Sequence, residues 1–227
     1  MARGPFDPAY DDLPAIMPVF PLAGVLLLPS GKLPLNIFEK RYLAMTRESL
    51  TGGRMIGMIQ PTGLGDCETG PVLYPTGCVG RIISFAETDD GRYLITLQGV
   101  IRFHIKQELE LLHGFRRVVP DYAPFQGDLS ANGEAMDDIG RARILKALQR
   151  YFRTNNVNAN WDAIKKMDDK TLITTIAMSC PFDPPDKQAL LESEGLAARG
   201  QILAALLEMG AIAPSGNPED STPPTRH

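Results

Sequence analysis

Few side chains in this 227-residue chain could carry nucleophilic or metal chemistry: His104, His113 and His227, with Cys67, Cys78 and Cys180. A nucleophilic pair needs a thiol within hydrogen-bond reach of an imidazole. Cys78 and His104 both fall in strand-like segments and could meet on neighbouring strands, but no local pattern favours the pair. His104 lies between Phe103 and Ile105, so it faces the other side of a strand from them and reads as an exposed or hydrogen-bonded strand histidine. His113 precedes Gly114 in a turn, and His227 lies in a polar tail. The cysteine count is odd and no two cysteines have metal-ligand spacing, which argues against a disulfide framework and against zinc and leaves three free thiols in a reducing compartment.

The familiar catalytic signatures are missing. There is no GxxxxGK[ST] loop to cradle phosphates, no HExxH and no GxSxG. Gly63-Leu-Gly65 and Gly77-Cys-Val-Gly80 lack dinucleotide spacing, and no pattern marks a Ser–Lys dyad. The acidic pairs Asp11-Asp12, Asp89-Asp90, Asp137-Asp138 and Asp168-Asp169 fall at a leader, a turn or a helix start, where capping explains them. No catalytic, cofactor-binding or metal-binding residue is expected.

Charge narrows the partner. The chain carries a net charge of −4, and both halves are acidic, which disfavours nucleic acid. The N-terminus has no apolar stretch resembling a signal peptide. The longest aliphatic run, Val25–Leu28, is far too short for a membrane span. A cytoplasmic protein away from membranes is expected.

The elements that must position any site divide in order. Residues 1–14 read as a flexible leader. Residues 15–125 read as β-rich, with strand-like segments at 15–20, 25–28, 54–60, 77–85, 92–98, 100–107 and 115–119. Asp89-Asp90-Gly91 predicts a hairpin turn. In 92–98, alternation puts Tyr93, Ile95 and Leu97 on one face. One helix is predicted over 38–50, with Phe38, Tyr42, Met45 and Ser49 on a shared face and Gly52-Gly53 ending it. Residues 126–136 read as a linker. Helices follow over 137–210, with Asp137, Asn160, Asp168 or Asp169, and Asp183-Pro184 as start signals and Gly210 as the residue closing the last. Residues 211–227 read as a disordered tail. Strands segregated from helices make the fold class α+β.

Three blocks carry a family resemblance. Met17-Pro-Val-Phe-Pro-Leu22 and Val25-Leu-Leu-Leu-Pro29 lead into Leu33-Pro-Leu35, Ile37-Phe-Glu39 and Arg41-Tyr42. Gly77-Cys-Val-Gly-Arg-Ile82 follows, then the run Gly91 to Phe103. In order and spacing these resemble the N-terminal domain of Lon-type proteases. The resemblance implies a PUA-like pseudo-β-barrel with one inserted helix, followed by a C-terminal helical bundle. It also implies a non-catalytic protein-binding module that recognises substrate proteins, acting as an adaptor or regulator in proteolysis. The ATPase and Ser–Lys peptidase parts are not in this sequence, so no catalytic residue carries over. The expected partners are proteins, either unfolded clients or a protease, and a homo-oligomer stays open. Candidate contact residues are Leu26, Leu28, Pro29, Leu33 and Pro34, which either form an apolar contact loop or close the barrel core. The alternatives are RNA binding through the barrel and a small-molecule enzyme using Cys78, His104 or acidic residues.

Overall fold

The computed structural model describes residues 8–67, 70–130 and 136–212. Eight strands occur in chain order: β1 (Met17–Pro21), β2 (Lys32–Ile37), β3 (Met55–Ile59), β4 (Pro61–Cys67), β5 (Gly70–Leu73), β6 (Thr76–Glu87), β7 (Tyr93–Leu112) and β8 (Phe115–Asp121). The helices are α1 (Lys40–Thr51), α2 (Asp138–Thr154), α3 (Trp161–Lys166), α4 (Asp169–Ser179), α5 (Pro184–Glu192) and α6 (Gly195–Gly210). The protein is mixed α+β, with a six-stranded sheet in the order β2-β7-β6-β3-β1-β8 and a separate β4–β5 hairpin.

The long strand β7 closes the sheet on itself. Residues 93–98 of β7 pair with β2, and residues 104–112 pair with β8. Because β8 also pairs with β1, the strands β1, β3, β6, β7 and β8 form a ring, and β2 remains as an edge beside it. Pro34 fits that position, because a residue without an N–H is tolerated on an edge strand and not in a central one.

Inside the ring, Met17, Val19, Ile101, Phe103 and Val118 are fully buried. The Phe103 ring lies where a side chain on Gly77 would sit: a Cβ there would come within 2.6 Å of it. Gly99 serves the outside of β7. Leu28 crosses so close that a Cβ on Gly99 would stand 2.0 Å from the Leu28 carbonyl oxygen. Ser30 N–H donates to the Gly99 carbonyl and Gly99 N–H to the Gly31 carbonyl, which pins the 25–31 loop to the strand.

Several sequence expectations change here. The segments 92–98 and 100–107 are one strand, since Gly99 accommodates a register shift without ending the ladder. Val25–Leu28 is an irregular loop and not a strand. Phe38 does not share the face of Tyr42, Met45 and Ser49: it lies ahead of the α1 N-cap residue Glu39 and is 65% exposed. Gly210 is the last residue of α6, with Ala211 as the C-cap in ordinary right-handed geometry. Its small size is used instead for packing, because a Cβ would lie 2.7 Å from the Tyr151 ring.

Three helix starts are built from the side chains the sequence marks. Asp137 accepts from Gly140 N–H, Asn160 from Ala163 N–H and Asp168 from Thr171 N–H. Asp183 precedes α5 but accepts no capping bond. Pro184 and Pro185 occupy the first two helical positions and remove donors that it could have satisfied.

The helices share a core with the barrel. One continuous apolar cluster joins Leu26, Leu27, Leu28 and Ile56 of the β-rich part to Ile144, Leu172, Ile176, Leu190 and Leu203 of the helices. A polar seam accompanies it. Arg102 holds Asp128 through two nitrogens and donates to the Leu191 and Ser193 carbonyls. Gln60 donates to Gln188, which donates in turn to the Thr76 carbonyl and to Glu192. Across the expected boundary between β-rich part and linker, Ala123–Leu129 is a 3-10 segment that lays Phe125 against Arg102 and His104, while residues 131–135 of the linker lie outside the described residues. The expected tail lies outside them from residue 213 onward.

Candidate functional site

Register decides the fate of the chemically capable side chains. Cys78 stands opposite Arg102 and His104 opposite Thr76, so Cys78 and His104 are diagonal and form no pair. The His104 Nδ1 lies 3.1 Å from Thr76 Oγ1, and its ring packs edge-on against Phe125. Cys78 is fully buried, and desolvation pushes its thiol far above the ordinary range, so it stays protonated. Burial likewise pushes the Cys180 thiol up to about 11. The side chain of Cys67 lies outside the described residues. Among the described residues, no three His, Cys, Asp or Glu side chains cluster where a metal ion could sit. No described helix is long and apolar enough to cross a membrane.

The five expected contact residues separate into two groups. Leu26, Leu28 and Pro29 are buried, Leu26 and Leu28 within the apolar cluster shared with the helices, which is the core side of the two readings left open for them. Leu33 and Pro34 lie on β2, Leu33 half-buried and Pro34 exposed.

Around Pro34 the three strands β2, β7 and β6 present a common outward face. Pro34 aligns with Thr96 and Ser84, and Asn36 with Leu94 and Ala86. Period-2 geometry turns Tyr93, Ile95 and Leu97 inward, where they are buried, and sends Leu94 outward, where it is 45% exposed. Ile83 sits in the register shift between Ile82 and Ser84 and is 46% exposed. A bulge of this kind re-aims a side chain, here placing a second apolar group, Ile83, in solvent. Phe38 leaves the end of β2 and Phe85 the end of β6, the latter stacked edge-on against Tyr93 with ring centroids 5.0 Å apart. Phe85 pairs with the buried Ile95 and so belongs to the inward side, at the exposed end of the core, whereas Phe38 stands in solvent beyond the end of β2.

Sequence reading missed Ile83, Leu94, Phe38 and Phe85 as surface residues. One signal was present: with Tyr93, Ile95 and Leu97 on one face, Leu94 was left as an apolar residue on the opposite one. Ile83 carried no such signal, because the bulge that exposes it depends on its partner strand.

Three comparisons place the chain among known proteins. Residues 16–209 match the family model described as the ATP-dependent protease La (LON) substrate-binding domain. The chain is similar to the Lon protease of Anaeromyxobacter dehalogenans, 26% identical over 205 residues, and to Lon protease 2 of Myxococcus xanthus, 24% identical over 202 residues. Each alignment takes in 87% of this chain but 23% and 24% of those relatives, so the chain spans about a quarter of their length. Its fold matches a Lon N-terminal domain protein from Xanthomonas campestris, with a TM-score of 0.60, 20% identity, and coverage of 84% of this chain and 97% of that one. It also matches the N-terminal domain of the Mycobacterium avium complex Lon protease, with a TM-score of 0.58, 17% identity, and coverage of 85% and 97%.

Proposed function

The chain belongs to the LON substrate-binding domain family, and on that premise we propose that it binds unfolded client proteins through the outward face of β2, β7 and β6. The observation that carries the reading is the exposure of Leu94 and Ile83 beside Pro34, on strands whose other face buries Tyr93, Ile95, Leu97 and Ile82. Scattered exposed apolar residues are ordinary, whereas a contiguous group on a rigid sheet suits a binding surface. Covering roughly 300 Å² of such surface yields about 7 kcal/mol at about 25 cal/mol per Å², before the ordering cost of the client is subtracted. The remainder corresponds to weak, reversible capture, as a client that must be passed on requires.

The action we assign is binding and not bond cleavage. Its support is the location of the family match in a substrate-binding region and the protonated, sequestered state of Cys78. An adaptor or regulatory role in proteolysis is supported by the identity of the relatives as Lon proteases. A cytoplasmic setting agrees with the buried free thiols of Cys78 and Cys180.

The test is capture of reduced, carboxymethylated lactalbumin, measured by fluorescence anisotropy. The double variant Ile83→Asp/Leu94→Asp is expected to lose at least about tenfold in affinity with an unchanged far-UV spectrum, because each carboxylate must be desolvated against an apolar client. Undiminished capture by the folded variant would refute the assignment.

A further inference from the structure

A second surface, on the helical side, differs in chemistry from the outward sheet face. The inner face of α2 buries Ile144, Ala147, Leu148 and Tyr151. Its outer face exposes Arg143, Lys146, Arg150 and Arg153, whose spacings of three and four residues align them in one stripe. Four cations on one helix face stand out in a chain of net charge −4. Glu208 of α6 pairs with Arg143 at 2.8 Å. Among the described residues no carboxylate forms an ion pair with Lys146, Arg150 or Arg153. The Arg143 hydrogen bond, with the nearby Arg150 and Lys146 contributing, holds the Glu208 carboxyl below its usual range.

Two open cavities, with no lining residue in common, lie at successive positions along this helix. One, of about 340 Å³, is framed by Arg143, Lys146, Arg150 and Glu208. The next, of about 300 Å³, is framed by Gln149, Arg153, Phe152, Trp161 and Val157. From Ala142 to Arg153 the helix rises roughly 17 Å at about 1.5 Å per residue. That length matches about five residues of extended peptide at about 3.3 Å each.

From this geometry we infer that the α2 groove binds a short, extended acidic segment of a partner protein, with its carboxylates along Arg143, Lys146, Arg150 and Arg153 and an apolar side chain against Phe152 and Trp161. Charge complementarity selects the acidic class. The aromatic pair selects peptide over nucleic acid. The Phe152 and Trp161 rings are tilted 53° to one another and pack against the main core, so they do not present the flat platform that base stacking uses. The site lies apart from the β2–β7–β6 face, and either can fail without the other.

Trp161 is the single tryptophan of the chain, so its emission reports on the groove directly. The probe is a blocked hexapeptide of five glutamates followed by leucine, with a pentalysyl-leucine peptide as control. Saturable change in Trp161 emission is expected with the acidic peptide and not with the basic one. Binding should weaken several-fold between about 50 mM and about 300 mM salt as screening shortens the reach of each charge. Lys146→Glu/Arg150→Glu should abolish the change with the melting temperature preserved, both side chains being exposed. Wild-type emission that ignores the acidic peptide, or a double variant that still binds it, would overturn the inference. So would a uridine decamer that binds in the peptide's place. A response seen only in a chain ending at Ile212 would assign the groove to residues 213–227 and would also overturn it.

Discussion

Individual residues in this protein divide by what surrounds them and not by their type. Leu28 and Leu94 are both leucines in apolar runs, yet Leu28 is fully buried under the helices and Leu94 is nearly half exposed. Opposite outcomes are therefore expected for the same substitution. Leu28→Asp places a carboxylate in the shared core and should cost more than about 3 kcal/mol, abolishing cooperative thermal unfolding. Leu94→Asp should leave the melting temperature within a few degrees. Parallel circular-dichroism melts check both. Glycine is as specific: Gly77→Ala presses a methyl group into the Phe103 ring and should destabilise by about 1–3 kcal/mol in denaturant titration. The sequence alone left 26–34 open between interface and core, because apolarity does not reveal which side of a loop another element will cover.

Elements whose signals are local were legible. Asp89-Asp90-Gly91 announces the β6–β7 turn, where Gly91 has a φ of 79° and Thr88 and Arg92 bond across the bend. Asp137, Asn160 and Asp168 announce α2, α3 and α4 because a cap needs only its own first turn. The strand β2 was not legible: Pro34 sits mid-strand, and only its position at the sheet edge makes that tolerable. The β4–β5 hairpin was hidden by Gly63, Gly65 and Gly70, all at positive φ, which break the apolar alternation. The Asp168 cap also titrates. Thr171 N–H and hydroxyl bonds hold its carboxyl below its usual range, so its contribution is complete above the unfolded carboxylate range and is lost as pH falls through the lowered folded value. Asp168→Asn caps without titrating. The variant should therefore lose less stability than wild type on acidification below about pH 4, the unfolded carboxylate range, in pH-dependent urea midpoints.

At the scale of the whole molecule, an apolar cluster and a polar seam tie barrel to helices, so they should unfold together. Trp161 emission, which reports from α3, and the far-UV signal should give coincident transitions. Breaking the largely buried Arg102–Asp128 pair by Asp128→Ala leaves a guanidinium uncompensated and should cost about 3–5 kcal/mol. A rigid scaffold of this kind leaves the outward sheet face free to bind without rearrangement. The most direct measurement of that central claim is amide hydrogen exchange with and without reduced, carboxymethylated lactalbumin. New protection is expected in β2, in the first half of β7 and in the second half of β6, and little change in the helices. Protection confined to the helical side, with the three strands exchanging as in the free protein, would contradict it.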